Sequence, residues 1–301
     1  MLILVIIWLE MVGHARKGQN KFFPVSQPSN ICIFRKNENK IWPLNVTLTC
    51  WCPSQSHLFK SKQQAMITLK ITWRYCLALY FMTMLYISLH ELVHHFAGYL
   101  ICGDWGYKTF NYFTTACEGT AKSWYATYAG PLFTFAMMWV GAYFLLYANS
   151  NYKKHFGFAM IFAQWPLQRM TSPFFRMNDE FVATINLFGD TPFNYWAVII
   201  VIWLICLPPL VVAYRAIANK RRLLWFLWYL CLFPYLLVGP VFGGLEYLLV
   251  QKQVLAGTFI GIAHLFIVNE IITIIGYALT KRYIEPEASP GLADEPKQSL
   301  S

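Results

Sequence analysis

The strongest constraint on the fold is a pair of apolar runs separated by a short polar patch. Residues Cys76 to Leu89 are almost wholly apolar, and Phe96 to Ile101 continue the pattern. Between them stands His90-Glu91-Leu92-Val93-His94, followed by His95. An apolar stretch of this length predicts a membrane-spanning helix. Two imidazoles and a carboxylate inside such a helix are costly, so they mark a functional site. Histidines four residues apart lie one turn apart on the same helix face, where both rings can reach one Zn²⁺. Glu91 is the general-base candidate beside them. His95 is turned about 100° further round the helix and is expected to point elsewhere.

Composition supports the membrane reading. The 301 residues are 57% hydrophobic and only 13% charged, against about 25% charged in soluble domains. Further apolar segments are expected near 129–147, 195–214, 223–242 and 258–279. A broken one starts at Phe156 and is interrupted by Pro166 and Arg169. The predicted fold is an all-α, polytopic membrane bundle of about six spans, with a small polar or hairpin loop over Tyr107–Phe113 after the motif helix. Residues 1–65 read as a poorly ordered extension, 66–282 as the membrane-embedded domain, and 283–301 as a disordered tail.

The net charge is +10, but the Lys and Arg residues fall between apolar runs, as the positive-inside bias places them. No basic stripe interleaved with stacking aromatics appears, so nucleic acid is excluded as a partner. The expected partners are the lipid bilayer and a membrane protein or peptide substrate. Lys70, Arg74, Lys153, Lys154, Arg215, Lys220–Arg222 and Lys281–Arg282 fall on one side if the chain crosses six times. That predicts a multi-pass protein of a bacterial plasma membrane with both termini cytoplasmic. Cys102 and Cys117 flank one loop and can pair if it faces an oxidising compartment.

A catalytic zinc takes three protein ligands and keeps a position for water. A third His in the metzincin pattern would fall at position 100, which is Leu. The third ligand must therefore come from a distant residue. Asp179 is favoured and Glu180 is next, because both follow Asn178 on the broken segment. Glu246 and Glu270 are alternatives. Asn178, Arg169 and Arg176 are the polar groups available to line a water path.

HELVH in a membrane segment, Ala129-Gly-Pro-Leu132 opening the next span, and Asn178-Asp179 downstream together resemble the site-2 protease type of intramembrane zinc metallopeptidase. The resemblance covers roughly residues 69–190. It implies a three-helix catalytic core that cleaves transmembrane or membrane-proximal peptide bonds. It implies His90, His94 and Asp179 as zinc ligands and Glu91 as catalytic base, with Glu180 and Asn178 as alternative ligand or support. The chain departs from the family in having Glu180 where a Gly usually follows the Asp. Two other functions remain open: a membrane HExxH peptidase with a Glu as third ligand, and a non-enzymatic transporter or scaffold.

Overall fold

The computed structural model describes residues 66–285. The extension expected over 1–65 and the tail from residue 286 onward lie outside the described residues. The domain is almost entirely helical. Among the described residues, five helices are long and apolar enough to cross a membrane, where about six spans are expected.

The first, α1, is Trp73–Cys102. Thr72 caps it by accepting the Tyr75 N–H at 3.1 Å. Gly103 ends it at φ 83°, donating its N–H to the Tyr99 carbonyl. Thirty residues span about 45 Å, more than the hydrocarbon thickness of a bilayer. His90 lies about 26 Å along it. The motif therefore sits inside the helix, well away from either end.

Helix α2 is Ala121–Tyr147, starting earlier than the apolar run suggests. Pro131 consequently lies inside the helix instead of near its start. The missing N–H leaves the Thr127 carbonyl without its usual donor. Helix α3, Asn151–Ala163, returns after the short turn Ala148–Ser150, so Lys153 and Lys154 lie in its first turn. Gly141 and Gly157 bring α2 and α3 together, and a Cβ on Gly157 would stand 2.5 Å from the Gly141 carbonyl oxygen.

The expected third span then breaks. Trp165 adopts the left-handed region at φ 51° and ψ 53°, and Pro166 follows. A short α4, Pro166–Thr171, leads through a 3₁₀ turn at Ser172–Phe175 into α5, Asp179–Phe188. No single piece here is long enough to count as a span, because Pro166 cannot continue the hydrogen-bond ladder of α3.

Helix α6 is Pro192–Ala216, and α7 runs from Arg222 to Val250 with π-helical turns at Trp228–Leu232 and Pro234–Val238. The last helix, α8, is His264–Thr280 and ends in a 3₁₀ turn at Lys281–Ile284. The span expected from 258 begins later. Thr258–Phe259 (β1) and Ile262–Ala263 (β2) form an antiparallel pair instead. The two turn residues, Ile260 and Gly261, both have positive φ, which matches the twist of a tight hairpin. Lys108 adds an edge to this pair, giving its N–H to the Gly261 carbonyl and accepting from the Ala263 N–H. Lys108 also bridges antiparallel to Phe113. The aromatic loop after α1 is thus tied to the approach to α8.

The basic ends of the helices meet. Ile67 pairs with Ile217, Asn219 brackets the Leu69 backbone, and Arg74 lies over the Tyr283 ring. At the opposite end of α1, Cys102 and Cys117 form a disulfide. Leu204 on α6 and Leu279 on α8 are 66% and 68% exposed, as are many large apolar neighbours. A soluble monomer rarely exposes so much apolar surface, whereas helices able to cross a membrane would present it to lipid.

Candidate functional site

Three sequence-distant elements bring the site together. Helix α1 supplies His90 and His94, one turn apart and both buried. Helix α5 supplies Asp179 at its first turn. The Asn178 side chain caps α5 by accepting the Phe181 N–H at 3.2 Å, which fixes where Asp179 leaves the backbone. Helix α2 supplies the partners of the two imidazoles.

His94 Nδ1 lies 3.0 Å from the Ala126 carbonyl oxygen, so Nδ1 carries the proton and donates it there. His90 Nδ1 lies 2.8 Å from the Thr134 hydroxyl, which can accept in the same way. Those bonds leave both Nε2 lone pairs facing inward, as a metal ligand requires. The two Nε2 atoms are 3.1 Å apart. Asp179 Oδ2 is 3.1 Å from His90 Nε2 and 3.5 Å from His94 Nε2. Three acceptor atoms held this close repel one another unless a cation joins them. Ligand atoms around a tetrahedral zinc are about 3.3 Å apart, so the donor set and its spacing both fit that ion.

Positive charge is already drawn to these atoms. Arg169 Nη2 stands 2.7 Å from His90 Nε2, and Nη1 stands 3.0 Å from Asp179 Oδ2. Glu180 is buried and faces the same guanidinium at 3.5 Å, outside the cluster of three. It acts as a counter-charge for Arg169.

Gly130 explains the Ala129-Gly-Pro-Leu132 element. A Cβ built on it would stand 2.2 Å from His94 Nε2 and 2.7 Å from His90 Cε1. Only glycine lets α2 pass this close to the two rings. Phe113 stacks on His94 at 4.4 Å and closes that side.

The other acids have separate partners. Glu246 accepts from the Thr109 hydroxyl and the Phe110 N–H, strapping the aromatic loop to α7. Glu270 accepts from the Ser88 hydroxyl and the Asn269 amide. Arg176, expected along a water path, pairs instead with Asp190 at an exposed position. His95 turns away from the site, donating to the Ile260 carbonyl and stacking on Trp105. Among the described residues, His90, His94 and Asp179 are the group whose ligand atoms all lie within 4.8 Å of one another.

No family model, curated protein or solved structure matches this chain. The functional reading therefore rests on the site itself.

Glu91 faces a cavity of about 80 Å³ together with His90, Thr134, Gln168 and Arg169. That volume holds several waters. Lys108 is fully buried, and its Nζ stands 3.9 Å from Glu91 Oε2. The ammonium also donates to the Thr109 carbonyl and lies over the Phe266 ring. Burial pushes the Lys108 pKa down to about 8, against the opposing pull of the Glu91, Glu270 and Glu246 carboxylates. The sequence carries no signal for Lys108, because a single Lys in an aromatic loop reads as a solvated side chain. The partnership of Thr134 with His90 is equally silent, although Thr134 lies one turn after Gly130 on the same face.

Proposed function

We propose that this protein is an intramembrane zinc metalloprotease of the site-2 protease type, hydrolysing peptide bonds of membrane-embedded or membrane-proximal substrates. The single observation that carries the reading is the convergence of His90 Nε2, His94 Nε2 and Asp179 Oδ2 beside a cavity that also holds Glu91. A zinc ion held by His90, His94 and Asp179 would supply Lewis acidity toward the scissile carbonyl and toward water. Glu91 takes the proton of the attacking water on its carboxylate and passes it to the departing amine. Lys108 places a positive charge beside that carboxylate. Thr134 and the Ala126 carbonyl hold the two imidazoles in the tautomer that leaves Nε2 free.

Six crossings suit this reading. The third is composite, made of α3 and α5 joined through the break at Trp165, and it delivers Asp179 to mid-membrane. Irregular backbone at that depth is tolerated where it lines a cavity. Both ends of the domain then lie on the cytoplasmic side, where Lys70, Arg74, Arg215 and Lys281 gather. The Cys102–Cys117 disulfide falls on the other side, where oxidation is permitted.

Two outcomes test the proposal directly. Protein purified by gentle extraction contains stoichiometric zinc, and chelation abolishes cleavage of a model transmembrane substrate until zinc is restored. Lys108→Met keeps the zinc and lowers turnover about tenfold, the effect of weakening one charge interaction at Glu91. Lys108→Arg restores part of that loss, as kinetics on the metal-loaded variants would reveal.

The contacts of Arg169 favour a second reading, in which its guanidinium alone neutralises Asp179 and the domain is a transporter or scaffold without metal. Purified protein that lacks zinc and takes up none on titration would select it.

A further inference from the structure

The break between α3 and α4 carries two buried hydrogen-bond donors on residues that line the cavity holding Glu91. Gln164 is 5% exposed, and its Nε2 has no hydrogen-bond partner. The neighbouring Trp165 Nε1 is also buried without a partner. Both residues line the cavity with His90 and Glu91. Trp165 holds its place through a left-handed backbone that a bulky residue rarely adopts, and its ring stacks on Tyr235 of α7. Strain retained at such a position belongs with a site that uses it. A buried donor without an acceptor is costly, and two on adjacent residues in the wall of one cavity point to a ligand rich in acceptors that a small side-chain rotation would reach.

A transmembrane helix supplies that ligand when it opens. Its backbone groups are all paired inside the helix, and unwinding a turn leaves carbonyl oxygens without donors in a medium that offers none. We propose that Gln164 Nε2 and Trp165 Nε1 form a carbonyl-binding wall that holds the unwound backbone of a substrate helix beside His90 and Glu91. The identity of this ligand rests on the protease reading above. Recognition through main-chain carbonyls is indifferent to side chains, so the wall accepts peptides of varied sequence.

Binding is measured in the Glu91→Gln background, so that turnover does not interfere. The probe is a fluorescein-labelled Leu/Ala transmembrane peptide of about 20 residues with a central Asn-Gly, presented in nanodiscs. The Glu91→Gln protein binds it. Adding Trp165→Phe, which keeps the ring and removes the N–H, weakens binding about tenfold, and Gln164→Met does the same. Zinc content stays at the parent value in both. A peptide carrying a single thioamide, a poorer acceptor, at the contacted carbonyl binds the parent more weakly, whereas Trp165→Phe no longer discriminates. A thioamide scan through the central residues locates that carbonyl. Unchanged affinity in both variants, or a parent that binds no peptide, overturns the inference. Binding with this pattern alongside a wild-type protein that cleaves nothing would instead count against the protease reading alone.

Discussion

Glu91→Gln leaves the metal bound and lowers cleavage by about 10²–10⁴-fold, the range for loss of a general base. The substitution keeps the size of the side chain and its place on α1, one residue after His90. It removes only the capacity to take a proton. The carboxamide keeps an oxygen toward Lys108, whose Nζ stands 3.9 Å from Glu91 Oε2, so the cavity keeps its shape. The ligands are untouched, because His90, His94 and Asp179 meet on atoms that Glu91 does not supply. Zinc analysis and single-turnover cleavage on the same preparation separate the two effects. Full cleavage by the metal-loaded variant would mean that another group activates the water.

Asp179→Ala acts on the other half of the site. Asp179 Oδ2 is the acceptor that completes the triangle with the two Nε2 atoms, at 3.1 and 3.5 Å. Its loss leaves two ligands, and zinc affinity falls by more than about 100-fold, beyond the effect typical of removing a supporting hydrogen bond. The variant also leaves Arg169 beside the imidazoles with a single carboxylate, Glu180, to balance it. Glu180→Gln supplies the control. It removes a counter-charge of Arg169 but no ligand, so the metal stays. Competition with a chromogenic chelator gives both affinities. Zinc retained in Asp179→Ala and lost in Glu180→Gln would transfer the third position to Glu180.

Much of the site is legible in sequence because helix periodicity is local. The i, i+4 spacing of His90 and His94 places them on one face of any helix that contains them. Their apolar setting calls for a compensating cation. Asp179 is less direct. Asn178 is a good capping residue and Pro166 a sure break, so an acid at the start of a short helix within the bundle can be inferred. Choosing it over Glu180 requires knowing which way the first turn of α5 faces. The span boundaries are weaker for a related reason. Hydropathy sees the apolar middle of a helix but not its polar first turns, which explains the early start of α2 at Ala121. Nor does it distinguish a strand pair from a helix over Thr258–Ala263, where two positive-φ residues decide the matter.

By itself, the sequence determined the helical class, with apolar helices long enough to cross a membrane, and the histidine pair with its adjacent carboxylate. Each depends on residues near one another in the chain. Tertiary structure alone decided what surrounds them. It brought Asp179 within 3.5 Å of both imidazoles, buried Lys108 beside Glu91, and turned Glu246 and Glu270 to other partners. It also assigned Gly130 its purpose, since a missing side chain matters only when another helix occupies the space it would fill.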